Sequence, residues 1–94
     1  MKQRLAALAR ALPGAIHEPS GIGAMWSFVP FDGSAAAVEA VIRAALEEGL
    51  LVFSAGAEPA RLRLLLPVNL TNAELESGFK RLRRALARVA EERA

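Results

Sequence analysis

Apolar residues recur at helical spacing in some stretches of this chain and alternate in others. Between Lys2 and Leu12, Leu5, Leu8 and Leu12 fall on one face, which predicts a first helix. Pro13-Gly14 ends it. Ile16 to Ser20, which contains Pro19, reads as a connector. From Gly21 to Phe28, Ile22, Ala24, Trp26 and Phe28 alternate with Gly23, Met25 and Ser27, the period of a strand. Pro30 and Asp32-Gly33 make a turn. Ser34 then caps a helix that runs to about Glu48, with Val38, Val41, Ile42 and Ala45 as its buried stripe. Gly49 stops that helix.

Leu50 to Ser54 reads as a short apolar strand, and Ala55 to Ala60 as a hairpin-length loop. Arg61 to Pro67 is the third strand, with Leu62, Leu64 and Leu66 on one face and Arg61, Arg63 and Leu65 on the other. Thr71 to Glu74 fits a capping box. Behind it, Leu75, Phe79, Leu82, Leu86 and Val89 step by four and three along a last helix. The order is helix, strand, helix, strand, strand, helix. The expected fold is α+β: a small three-stranded, mostly antiparallel sheet with the third strand between the other two, a split βαβ unit carrying helices. Residues 1–94 form one domain on this reading.

Composition sharpens the picture in one respect. Hydrophobic residues make up 53% of the chain, with a mean hydropathy of +0.27. That is high for a small domain, whose surface is large relative to its core. Alanines account for part of it, and an apolar face meant for a partner for the rest. There is no Cys, hence no disulfide framework or thiolate site. The net charge of +2 is too small to argue for a polyanion partner. No apolar run reaches membrane-spanning length. Met1 to Leu12 is basic and alanine-rich, as a transit peptide would be, but Arg10 interrupts any secretory core and an ordinary helix explains the stretch. A reducing, cytoplasmic setting is compatible.

Candidate chemistry is sparse. His17 has no Cys or His partner for a metal, and Trp26 and Phe28 sit at core spacing. No phosphate-cradling glycine loop is present. Lys80-Arg81-Leu82-Arg83-Arg84, with Arg88, raises the possibility of nucleic-acid binding. Leu82 and Leu86 inside the run, and the nearby Glu74, Glu76, Glu91 and Glu92, describe a solvated helix face instead. Glu76 with Lys80, and Arg88 with Glu92, are spaced as helix pairs. Arg63 is the strongest single residue: a guanidinium on a strand can clamp a carboxylate through two hydrogen bonds. Arg61 is its backup on the same face. By spacing alone, either could be an edge-strand charge that discourages aggregation.

Arg61 to Leu75, with Leu66-Pro67, resembles the carboxyl-terminal signature of class III aminotransferases, which use pyridoxal phosphate. Ser20-Gly21-Ile22-Gly23-Ala24-Met25 is similar to that family's first small-domain strand, Arg-Gly-x-Gly-x-Met, with Ser20 where the family has arginine. The Leu-rich first helix, the central helix ending Glu47-Glu48-Gly49, the hairpin and the capped last helix follow in the family's order. The resemblance implies the small domain of an enzyme that moves an amino group from an amino acid or ω-amine to a 2-oxo acid. It implies that Arg63 faces a substrate carboxylate, and that the active site lies at a homodimer interface. The cofactor lysine would lie in a large domain outside this chain. Lys2 and Lys80 are the only lysines here, one at a terminus and one among arginines, and neither suits a Schiff base. The expectation is therefore an inactive fragment that binds no cofactor. It would expose one face of its sheet, or the Leu5-Leu8-Leu12 stripe, where the large domain belongs. A stand-alone α+β interaction module and a small nucleic-acid-binding domain are the rival readings.

Overall fold

The computed structural model describes residues 2–22, 25–55, 60–65 and 71–93. Helix α1 (Lys2–Ala11) leads into strands β1 (Ile16–Ile22) and β2 (Met25–Pro30). Helix α2 (Ala35–Glu47), strands β3 (Phe53–Ala55) and β4 (Arg61–Leu65), and helix α3 (Asn72–Arg93) follow. The sheet is antiparallel in the order β1-β2-β4-β3. The Leu-rich strand therefore lies between β2 and β3, and α2 is the crossover of a split βαβ unit, as the pattern predicts.

The sheet has four strands rather than three. The expected connector Ile16–Ser20 belongs to β1, and the expected strand Gly21–Phe28 is divided between β1 and β2. Pro19 is what hides β1 in the sequence. A proline cannot donate to a ladder, so it belongs only at an edge or a bulge; β1 supplies both. It is an edge strand, and its register slips between His17 and Ser20. Glu18 takes a φ of 48° there. Gly21 lies opposite Trp26, and a Cβ on it would stand 2.5 Å from the indole Cδ2. Glycine lets the ring lie on the backbone.

On the other edge, only Phe53–Ala55 of the apolar run Leu50–Ser54 joins the ladder. Val52 is buried beside it. The tip of the expected loop, residues 56–59, and Leu66-Pro67 of the expected third strand lie outside the described residues.

One core joins the layers. Leu62 and Leu64 of β4 and Phe28 of β2 point to the helices. Leu5 and Leu8 of α1, Val38, Val41 and Ala45 of α2, and Leu82, Leu86 and Val89 of α3 meet them. Burying each of the larger side chains contributes about 1.5–3 kcal/mol. Leu5 and Leu8 are thus covered within the chain, and Leu12 is half-buried. The first-helix stripe is not the exposed apolar surface. Among the described residues the exposed large hydrophobics are Leu51 (68%), Leu46 of α2 (62%), Met25 (55%) and Phe53 (43%), and the last two lie on the outer face of the sheet.

Local signals mark the helix ends. Ser34 Oγ accepts from Ala37 N at 3.1 Å, and Asp32 Oδ1 accepts from Ser34 N at 3.0 Å. Arg93, in the last turn of α3, donates to Asp32 Oδ2 at 2.9 Å and lies 5.3 Å from the Phe31 ring centroid. Gly49 follows α2 with a φ of 82°. At α3, Glu74 N donates to Thr71 Oγ1 and Thr71 N to Glu74 Oε1, both at 3.1 Å, which closes the capping box. The Thr71 hydroxyl, and then its N–H, hold the Glu74 carboxyl below its usual range.

Two outcomes follow. Phe28→Ala should destabilise the fold by about 3–5 kcal/mol through lost burial and a cavity, read from urea unfolding by fluorescence of Trp26, the sole tryptophan. Hydrogen bonds from Ser34 and then Arg93 lower the Asp32 pKa from 3.8 to about 2. A carboxyl whose pKa is lower folded than unfolded favours folding when ionised. Its contribution should be complete above pH 4 and fade as pH falls through about 2. Thermal melts of Asp32→Asn against the native chain should converge over that window.

Candidate functional site

The outer face of the sheet follows from period two along β4. Leu62 and Leu64 turn inward, so Arg61 and Arg63 turn outward. Ser27 and Phe53 flank Arg63 across the ladder, and Met25 and Ala55 lie near them on the same face. The result is a basic strip across a surface that is otherwise apolar or hydroxylic.

The two arginines differ. Arg61 is half-buried: its Nε donates to Ser27 Oγ at 3.1 Å, and its Nη2 to Ser20 Oγ at 3.2 Å and to the Glu18 carbonyl. Arg63 is exposed and, among the described residues, makes no hydrogen bond or ion pair. Among the described residues, then, nothing occupies its fork of N–H donors, whose geometry suits a planar anion. The sequence singled out both residues. It could not tell which one the fold uses for itself, because that depends on Glu18 and Ser20, some forty positions away.

The basic run on α3 has a structural use. Arg81 donates to the Gly49 carbonyl at 3.2 Å. Arg88 bonds Glu47, and Glu48 at 2.6 Å, while Arg84 stands 3.9 Å from Glu48. Two carboxylates at the negative end of α2 are unfavourable there, and these arginines offset them. Arg88 therefore pairs with α2 and not with Glu92, and Glu76 pairs with Arg4 and not with Lys80. The expected helix pairs give way to contacts between helices.

A groove of about 630 Å³ lies between α1 and α3, lined by Arg4, Leu8, Glu76, Phe79, Lys80 and Arg83 among others. It opens on the helical side, away from Arg63. Lys80 is exposed in it, so a cofactor imine there would stand open to water. Glu76, the carboxylate of its lining, is held by Arg4 and not aimed at a ring nitrogen. These residues do not fit a resident pyridoxal phosphate. His17 Nε2 donates to the Gly14 carbonyl oxygen at 3.0 Å, a local contact. Among the described residues no His, Cys, Asp and Glu cluster suits a metal, and no helix is long and apolar enough to cross a membrane.

No family model matches the sequence, and no curated protein does. Solved structures match closely. Against a lysine aminotransferase from M. tuberculosis the chain is 28% identical over 94% of its length, with a TM-score of 0.83. Against a PLP-bound aminotransferase mutant from Vibrio fluvialis it is 30% identical over 99%, with a TM-score of 0.82. Against an omega-aminotransferase from Paracoccus denitrificans it is 27% identical over 99%, with a TM-score of 0.83. The chain spans 19%, 22% and 22% of those proteins, about a fifth of their length. These neighbours are class III pyridoxal-phosphate-dependent aminotransferases, and the span fits their carboxyl-terminal domain.

Proposed function

We propose that this chain, whose structural kin are class III aminotransferases, is the substrate-binding small domain of a pyridoxal-phosphate-dependent aminotransferase. The parent enzyme moves an amino group from an amino acid or ω-amine to a 2-oxo acid. The observation that carries the reading is Arg63, an exposed guanidinium without a partner among the described residues, on the strand where the family likeness implies a carboxylate ligand. Its role is position: two parallel N–H···O bonds orient a carboxylate and hold the reacting end of the substrate in one place. No proton passes through it. Met25 and Phe53 give the substrate apolar surface beside the clamp.

Pyridoxal phosphate and the lysine that carries it belong, on this reading, to the large remainder of the enzyme. That remainder also covers the outer face of the sheet, and two such enzymes pair as a homodimer in the cytoplasm. The rival stand-alone module draws on Leu5 and Leu8, which are buried without outside help. The exposed Met25 and Phe53 weigh against it.

Replacing Arg63 by Ala in the full enzyme should lower kcat/KM for a carboxylate substrate by about 1.5–3 kcal/mol of transition-state stabilisation. The melting temperature should barely move, since an exposed guanidinium contributes less than about 1 kcal/mol to folding. Unchanged kinetics would sink the carboxylate assignment. The 94-residue chain alone should emerge from incubation with pyridoxal phosphate and gel filtration without the cofactor's visible absorbance. A stoichiometric adduct on Lys80 would overturn the division of labour.

A further inference from the structure

The helices do not close evenly over the sheet. Helix α2 packs on α3, and α1 packs on the edge strand β1. Between α1 and α3 the helical layer stays open, and the groove of about 630 Å³ is that gap. Its floor is apolar, with Leu8 buried and Phe79 half-buried. Ala7 and Ala11, one turn apart, keep the α1 wall low, so another backbone can come close. On the α3 wall, Glu76, Lys80 and Arg83 follow at steps of four and three and share one face. Arg4 reaches across from α1 and pairs with Glu76. Lys80 and Arg83 are exposed and, among the described residues, make no hydrogen bond or ion pair. Uncompensated positive charge therefore borders an apolar floor, inside a frame of two helices.

We propose that this groove docks an amphipathic helix of another polypeptide, with carboxylates along the edge that meets Lys80 and Arg83. A helix laid between α1 and α3 sets aliphatic side chains at i, i+3, i+4 and i+7 against Leu8 and Phe79. It fills the gap in the helical layer. Among the described residues no strand position lines the groove, so an extended segment would find no sheet edge there to pair with. Two free cations suit a few carboxylates. They are too few for a nucleic acid, whose affinity grows with the number of phosphates neutralised, and Glu76 in the lining opposes one. The source of the helix rests on the reading above, in which the remainder of the enzyme covers the outer face of the sheet, because the groove opens on the opposite side.

The probe is a synthetic, end-capped helix of about sixteen residues, with leucines at helical spacing and glutamates beside them. Titrated into the nitrogen-15-labelled 94-residue chain, it should shift amides on α1 and α3 around Ala7, Ala11, Phe79, Lys80 and Arg83. Lys80→Glu together with Arg83→Glu should weaken binding by about tenfold or more, the loss of at least one charge-assisted hydrogen bond. The same peptide with lysines for glutamates should show the reverse preference, favouring that variant over the native chain. Ala7→Gln with Ala11→Gln fills the groove without changing its charge and should also weaken binding. No binding at millimolar peptide, shifts centred away from α1 and α3, or equal binding of the two peptides each overturns the proposal. So does a single-stranded oligonucleotide that binds these residues more tightly than the acidic peptide. The enzyme that carries this domain should bind the acidic peptide too. If only the isolated chain does, the enzyme's own remainder fills the groove, and the partner is not another polypeptide. Arg63 lies on the other face, and its clamp is judged by the kinetics of Arg63→Ala, so the two failures are told apart.

Discussion

The burial of Leu62 and Leu64 in the one core shared with the helices is the constraint from which the other features follow. A strand whose odd and even residues face opposite ways has no choice about its remaining side chains. Once the leucines of β4 are inside, Arg61 and Arg63 must stand on the far face. A one-residue slip would bury two guanidiniums and expose two leucines, so the register is strongly held. The central place of β4 follows from the same preference, because it gives the Leu-rich strand a neighbour on each side and leaves the irregular β1 and the short β3 at the edges.

Electrostatics in this domain mostly join elements. Arg93 ties the end of α3 to the turn before α2, Arg88 and Arg81 tie α3 to the end of α2, and Arg4 ties α1 to α3. Each exposed pair contributes little alone. Together they hold three helices over one sheet face; on the other face Arg63 is, among the described residues, the one guanidinium without a partner. The proposed carboxylate role of Arg63 draws on that division, with the helical side as scaffold.

The likeness to aminotransferases and the local geometry support each other at different scales. The likeness covers almost the whole chain but only about a fifth of each relative. It speaks to fold and placement. The geometry speaks to chemistry, through the contrast between Arg61 and Arg63. Ser20, which departs from the family's arginine, is an acceptor for Arg61. The departure thus has a partner in this chain, two strands away.

Local periodicity was enough for much of this. The stripe of α2, the capping box of α3, the glycine stop after α2 and the two-faced β4 are set by neighbours within a few residues, and all were legible. So were the outward placement of Arg63 and the split βαβ order, since a helix between strands and a short hairpin leave few arrangements. Strand β1 was not legible, because Pro19 and the positive φ of Glu18 erase the alternation, and the strand exists only as an edge laid on β2. The partners of Arg4 and Arg88 were not legible either. Helix spacing offers Arg88 the Glu92 of its own helix and offers Glu76 the Lys80 of its own, and only the packing of helices brings Glu47 and Glu48 to Arg88 and Glu76 to Arg4. The difference between Arg61 and Arg63 belongs to the same class. Both alternate outward by the same rule, and what separates them is a set of acceptors that the sheet, not the chain, places within reach.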